Sequence, residues 1–393
     1  MSAACIGSGS PGVGADGEHT SGTGSAWRDP EMSRLVAVAE AVERYAGMDH
    51  PRGERIWATA AELGDECLEP ERYPRCTAEE YAHPRCPVRP FDPHARIRWE
   101  RGIDLITLEP VWVPAVMACY GTQDQTEDEN FAYRISTGYA VHTDPLEAVV
   151  RGMFEVIERD IIAIVWHQRL PLPLIEAAPS DPLTALLDWS RQRFMHPYLF
   201  DATSDLGVPT VYCVLSAEHD LRANRLIGAG TGRDLTQAAE KALSEALLMR
   251  TQFHGTGYRL PASPEDFRTL EDTARYMGVR ERAHAFDFLT EGAAERPVVP
   301  RQSLPDASSD LLRLLVTTMS GSGMRPVAVE RTTVELADAG FHAVNVIIPD
   351  LQPMSGDHFA QFKAHPRLYE APALMGYRVL AEQELNAWPQ PFA

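Results

Sequence analysis

The run Glu147–Trp166, EAVVRGMFEVIERDIIAIVW, constrains this chain more than any other stretch. Its apolar residues, Ala148, Val149, Val150, Met153, Phe154, Val156, Ile157, Ile161, Ile162, Ile164 and Val165, cover most of a helical wheel. A helix apolar on most faces belongs inside a fold. Yet Glu147, Arg151, Glu155 and Glu158 follow one another at steps of four, four and three, in one stripe with Arg159 at its edge. Charge on a buried helix is costly unless something pairs with it. Carboxylates one turn apart can reach a common cation, and magnesium with substrate phosphate is the usual tenant of such oxygen sites. The plainer alternative is a solvated face laced with Glu–Arg pairs. A second copy weighs against it. Glu40, Glu43 and Arg44 repeat the ExxER spacing in another apolar helix, RLVAVAEAVERYAG. Two such helices would bring four carboxylates together, a set that needs metal to coexist.

Composition closes off several classes. The chain has 393 residues, 44% hydrophobic and 23% charged, enough for one large or two medium globular domains. A formal net charge of -20 argues against a general nucleic-acid binder, although metal can still bridge acid to nucleotide phosphate. No apolar run approaches a membrane span. The opening MSAACIGSGSPGVG has neither the basic flank nor the apolar core of a signal peptide. The expectation is a soluble, cytoplasmic protein. The six cysteines form no CxxC pair. Cys67, Cys76 and Cys86, with His83 nearby, are too widely spaced for a zinc knuckle and read as ordinary thiols.

Along the chain, residues 1–30 are rich in Gly, Ser and Ala and are expected to be a flexible segment ahead of one domain over 31–393. Pro30 precedes the first helix, 31–47. Residues 48–95, punctuated by Pro and Arg, read as short helices and irregular loops. Residues 96–120 read as two strands, 123–130 as an acidic solvated loop, and 131–135 as a strand running into the small-residue turn Ser136-Thr137-Gly138. Thr143 or Asp144 caps the central helix, with Pro145 in its first turn. Backbone amides of that turn and the positive end of the helix suit phosphate.

Further on come a helix at 183–194 and strands at 197–201, 209–216 and 224–230. A third long helix, 234–253, opens on Asp234 and carries Lys241 and Glu245 as an i, i+4 pair. Residues 254–308 read as an insertion packed on the outside. Helix 309–320 and strands 326–330 and 342–348 follow. The mixed order indicates an α+β class, a mixed α/β sandwich with mixed sheets around buried acidic helices. The tail LNAWPQPFA is either a loose end or an extended strand docked in a groove.

From about residue 30 to the end, these residues resemble the YcaO family, ATP-using enzymes that modify backbone amides of peptides. EAVERYAG is similar to the family's first helix motif. STGYAVHTDPLEAVVRGMFEVIERDIIAIVWHQRLPLP resembles its second, in the form found in peptide-ring-forming members, and EKALSEALLMR its third. VERTTVELADAGFHAVNVIIPDLQPM and LNAWPQPFA resemble the C-terminal part. The combination is specific where no single piece is. The resemblance implies ATP and Mg2+ as cofactors. It implies that Glu40, Glu43, Glu155 and Glu158 hold magnesium against the triphosphate. Glu147 would contact the nucleotide, with Arg44, Arg159, Arg151 and the turn at Ser136 about the phosphates. The third helix would supply Glu245 and a cation one turn earlier, Lys241. The C-terminal carboxylate of Ala393, guided by Pro389 and Pro391, would act as a general base near the peptide.

The implied reaction is ATP-dependent cyclodehydration of Cys, Ser or Thr in a ribosomal precursor peptide to thiazoline or oxazoline. The implied partners are that peptide, a separate leader-binding protein and a second copy of the chain, with no nucleic acid and no membrane. A thioamide-forming enzyme and a non-catalytic peptide- or partner-binding scaffold are the alternatives. Departures are visible. Val36 and Ala140 stand where the family often has Ser, Arg151 where it often has Gln, and Lys241 where Arg is common. Arginine lacks glutamine's acceptor, and lysine lacks arginine's bidentate fork. Pro389-Gln390-Pro391-Phe392-Ala393 keeps two prolines and lacks the last, and the segment ahead of the first helix is short and Gly-rich.

Overall fold

The computed structural model describes residues 2–5, 21–24, 29–50, 54–119, 121–175, 178–254, 259–297 and 299–392. Their strands are β1 (Ser2–Cys5), β2 (Ser21–Gly24), β3 (Arg55–Ala58), β4 (Ile97–Asp104), β5 (Pro110–Pro114), β6 (Tyr139–His142), β7 (His196–Asp201), β8 (Thr210–Ser216), β9 (Arg225–Thr231), β10 (Val327–Glu330) and β11 (His342–Ile347). The chain divides into two compact units, Met1–Val156 with Pro305–Pro353, and Ile157–Leu304 with Met354–Ala393. The one domain expected over 31–393 is therefore built as two units of two segments each. The central helix, Pro145–His167, contributes its first half to one unit and its second half to the other.

In the first unit, β1 and β2 pair antiparallel and lie against the first long helix, Pro30–Ala46. Asp29 caps that helix, accepting the Met32 N–H at 2.9 Å, and Pro30 takes its first turn. Any side chain at Gly22 or Gly24 would strike the helix backbone at Ala37 or Ser33. Glycine is what lets the ladder close on it, and Ser33 Oγ donates to Gly24 O at 2.9 Å. Within the Gly-rich lead-in expected to be flexible, residues 2–5 and 21–24 are strand.

The larger sheet runs β3-β4-β10-β11-β6, with β5 also on β4. Every one of these ladders is antiparallel, so the sheet is not mixed in direction as expected. Trp99, Ile97, Val113 and Val327 are buried in its core. Residues 131–135 are irregular rather than strand, and β6 begins only at Tyr139. Phe131 explains the difference. Its ring packs on Tyr73 and Phe91, with centroids 5.7 Å and 4.7 Å away, in an aromatic cluster rather than a ladder.

In the second unit, β7, β8 and β9 form an antiparallel meander with the third long helix, Leu235–Phe253, across β8 and β9. Asp234 caps this helix as expected, accepting the Gln237 N–H at 2.8 Å. The helix expected over 183–194 is Asp181–Arg191 and stops short of Phe194. The segment expected as an outer insertion instead feeds the core. Met277, Phe286 and Leu289 are fully buried, and Phe286 packs on the Trp166 ring at 5.3 Å. The tail is docked, with Pro389, Gln390, Pro391 and Phe392 all buried. No helix among the described residues is long and apolar enough to cross a membrane.

Candidate active site

The first unit holds three of the four ExxER acids, Glu40, Glu43 and Glu155. Glu40 gives one oxygen to Arg44, 2.7 Å away, and the other to the Thr23 N–H at 2.8 Å. Glu155 accepts the Gly138 N–H at 2.9 Å. That approach depends on two glycines. Gly138 adopts φ 86°, a conformation that favours glycine. Gly152 of the central helix sits where a Cβ would crowd Gly138 O and Val346. The turn expected to offer Ser136-Thr137-Gly138 amides to phosphate is therefore in place, with the Gly138 N–H already held by Glu155. Ser136 is half-buried in it. Asp144 meets the helix start, its Oδ1 accepting the Leu146 N–H at 2.9 Å.

Glu43 lies among these acids. Burial pushes its carboxyl well above the usual range, and the neighbouring charges of Glu155 and Glu40 push it further. The Arg44 and Arg151 guanidiniums pull it back in part. The structure thus draws Glu40, Glu43 and Glu155 into one electrostatic neighbourhood, with Arg44 and Arg151 beside them. Glu147 is buried and doubly held, by Arg151 Nε at 3.2 Å and by Ser308 Oγ at 2.9 Å.

The second unit carries the remaining candidates. Glu158 and Arg159 are half-buried on the second half of the central helix. The Arg159 guanidinium lies 4.9 Å over the Phe392 ring. On the third long helix, Lys241 Nζ donates to Thr231 O at 2.6 Å and Glu245 accepts the Ala229 N–H at 2.7 Å. Both side chains thus grip the backbone of edge strand β9. The tail is pinned at two points. Trp166 Nε1 donates to Trp388 O at 2.9 Å, and Thr273 Oγ1 donates to Phe392 O at 3.1 Å. Ala393 lies outside the described residues, so its carboxylate is not placed.

Several supporting residues escaped the sequence reading. Thr23 and Ser308 hold Glu40 and Glu147 across 17 and 161 residues of chain. Arg367 clamps the buried Asp160 at 3.0 Å and Asp205 at 2.7 Å. Asp160, directly after Arg159, interrupts an apolar face and was the one legible hint.

The family model for YcaO cyclodehydratase, ATP- and Mg2+-binding, matches residues 24–352. This chain belongs to the YcaO family. It is 27% identical over 341 residues to an uncharacterized protein of Methanothermobacter thermautotrophicus, covering 83% of this chain and 80% of that one. Among solved structures it is similar to a heterocyclase in complex with substrate and cofactor, with TM-score 0.79 and 24% identity over 95% of this chain. It spans half (50%) of that protein's length. It is similar to YcaO from Methanopyrus kandleri bound with AMPPCP and Mg2+, TM-score 0.53 and 23% identity, over 82% of this chain and 76% of the other. It is also similar to a chain of the E. coli microcin synthetase McbBCD complex with pro-MccB17 bound, TM-score 0.58 and 15% identity, over 84% and 81%. At these identities the structures speak for the fold, which is the expected α+β YcaO type.

ATP and Mg2+ are the cofactors of the YcaO family, and the residues present suit them. A carboxyl pushed up by two like-charged neighbours gains most from a cation. Magnesium keeps several waters and takes one or two carboxylates with phosphate oxygens, a donor chemistry that Glu40, Glu43 and Glu155 share. Among the described residues, no group of three or more His, Cys, Asp or Glu is drawn close enough to hold a metal ion. Glu40 and Glu155 are instead engaged with the Thr23 and Gly138 N–H groups, and Glu40 with Arg44 as well.

Proposed function

We propose that this YcaO chain is an ATP- and Mg2+-dependent enzyme that activates backbone amides of a ribosomal precursor peptide. Its product is a thiazoline or oxazoline formed by cyclodehydration of Cys, Ser or Thr. The observation that carries the reading is Glu43, its carboxyl raised by burial first and then by Glu155 and Glu40 within one unit. Such a group costs stability in a chain that uses it for nothing and is ready for a metal-bound nucleotide.

In this reading Glu40, Glu43, Glu155 and Glu158 hold magnesium, and Glu147, Arg44, Arg151, Arg159 and the Ser136 turn hold the nucleotide. When bound, Mg·ATP supplies the phosphoryl group that turns the amide oxygen into a leaving group. The protein's own part is positioning and charge neutralisation rather than covalent chemistry. Lys241 and Glu245 fix β9, and Pro389 and Pro391 sit in the docked tail of the same unit. The substrate's side-chain nucleophile would lose its proton as it closes the ring on the amide carbonyl, and the amide N–H proton would then be lost as the phosphorylated oxygen departs with phosphate, leaving the ring C=N. A leader-binding partner protein and a second copy of the chain complete the proposed assembly. The thioamide alternative shares the nucleotide site and differs in product, an oxygen exchanged for sulfur instead of water lost.

The test is calorimetric binding of a non-hydrolysable ATP analogue with Mg2+ to wild type and Glu155→Gln. Magnesium-dependent binding that the variant loses places nucleotide at the ExxER acids. Absence of binding, with a candidate partner added, sinks the enzyme reading.

A further inference from the structure

In the second unit, the helix Asp181–Arg191 is closed by backbone bonds from Phe194 N to Arg191 O (3.0 Å) and from Met195 N to Ser190 O (3.1 Å). This turn sets Phe194 at φ 57°, the left-handed conformation that glycine fills at many helix ends without strain. The Cβ of phenylalanine strains it there. At 74% exposed, the ring recovers little through burial. A residue that strains the backbone and hides little surface points to a role outside the fold.

Its surroundings indicate which role. The Phe194 ring meets His219 edge-on, centroids 6.4 Å apart. Two residues further along that turn is Leu221, 59% exposed. His196, which begins β7, pairs with Ser216, and Ser216 pairs with Arg225, which begins β9. Residues 194–196 and 216–225 therefore share one end of the meander. Arg280 N donates to Leu221 O at 3.2 Å and brings its own segment alongside. Three exposed arginines, Arg193, Arg222 and Arg280, flank the apolar pair, on a chain whose net charge is -20. Arg193 stacks 4.1 Å over the Trp189 ring. The acids of the β8–β9 turn have partners within the fold, Glu218 with Arg225 at 2.6 Å and with Arg280 in its field, and Asp220 with Arg250 at 2.7 Å.

We propose that this sheet end is a docking surface for an acidic segment of a separate partner chain, one that sets an apolar side chain against Phe194 and Leu221. Aromatic and arginine side chains are enriched at interface centres, and the flanking arginines select an acidic partner by charge complementarity. The proposal does not depend on the proposed nucleotide chemistry.

Fluorescence anisotropy tests it, titrating the full chain onto a fluorescein-labelled peptide repeating Glu-Glu-Phe-Leu, beside the same repeat with Lys for Glu. The acidic repeat is expected to bind, to weaken as salt is raised, and to bind at least about tenfold more tightly than the Lys repeat. Phe194→Gly and Leu221→Ser are each expected to lower that affinity about tenfold. Phe194→Gly should keep or raise Tm, because glycine relieves the turn. A lower Tm for Phe194→Gly would show that the ring serves the fold and overturns the proposal. So does failure of the acidic repeat to bind, equal binding of both repeats, or unchanged affinity in the two variants. Sedimentation addresses the remaining occupant: self-association abolished by Phe194→Gly overturns an acidic partner in favour of a second copy.

Discussion

Replacing Glu43 with glutamine should make the ligand-free protein more stable and the nucleotide-bound protein less so. The Glu43 carboxyl is raised by burial first, then by Glu155 and Glu40. The folded chain therefore keeps this proton to a higher pH than the unfolded chain, where a glutamate titrates near pH 4.3. Stability falls with pH wherever the folded state binds the extra proton. The penalty is absent below the unfolded value, grows as pH rises through the folded one, and is complete above it. Arg44 and Arg151 offset part of the repulsion, so what remains is mainly desolvation of an incompletely paired carboxylate. That is worth about 1–2 kcal/mol, the lower part of the range for an unsatisfied buried group. For a folding unit of this size each kcal/mol moves Tm by about 2–4 °C.

The assay is thermal unfolding of wild type and Glu43→Gln from pH 4 to pH 8.5. The variant should be more stable at the alkaline end and indistinguishable at the acid end, where glutamate is protonated in both states. Adding Mg·ATP should reverse the order, because a ligand at a hundred times its Kd adds about 2.7 kcal/mol to the protein that binds it. A variant that is less stable at pH 8.5 without nucleotide, or whose difference from wild type is the same at every pH, would refute the electrostatic reading of this cluster.

Three further outcomes are expected. Ser308→Ala removes the hydroxyl that holds Glu147 at 2.9 Å, which should cost about 1 kcal/mol in urea unfolding and weaken nucleotide binding in calorimetry without abolishing it. Arg367→Met leaves the buried Asp160 without its 3.0 Å partner and should destabilise by about 3–5 kcal/mol in the same assay. Burial lowers His167 to about 3, so the unfolded chain takes up a proton that the folded one refuses. Stability should drop as pH falls below the ordinary histidine value near 6.5, by up to about 1.4 kcal/mol per pH unit, and His167→Gln should flatten that acid limb in pH-dependent urea unfolding.

What was legible in the sequence was local. The ExxER spacing, the Asp234 cap and the α+β order all rest on periodicity and neighbouring residues, and the structure keeps them. What was not legible depends on chain segments far apart. The strand expected at 131–135 was drawn by its aromatic residues, but Phe131 answers to Tyr73 and Phe91 instead of a neighbouring strand. The Gly-rich lead-in looked flexible because glycine is permissive, yet Gly22 and Gly24 are there for close approach to a helix. Nothing in the spacing announces that Ser308 reaches Glu147, 161 residues away. The tail's two readings could be separated only by seeing Phe392 O held by Thr273.

One device recurs on three helices, and it bears on how the acids should be tested. Glu40, Glu155 and Glu245 each accept a backbone N–H, from Thr23, Gly138 and Ala229. Taken alone, each contact is a structural role, a carboxylate satisfying a donor the ladders leave open. Yet one N–H uses only part of a carboxylate's acceptor capacity, and the same bond fixes where the rest points. Alanine at these positions would remove the strand contact together with the charge, and lost activity would then say nothing about metal. Glutamine keeps a carbonyl oxygen for the N–H and discards only the charge. If Glu155→Gln holds wild-type stability while losing magnesium-dependent nucleotide binding, the carboxylate serves the cation and the backbone bond merely aims it. If Glu155→Gln binds nucleotide as wild type does, Glu155 belongs to the fold alone and the metal must be sought among its neighbours.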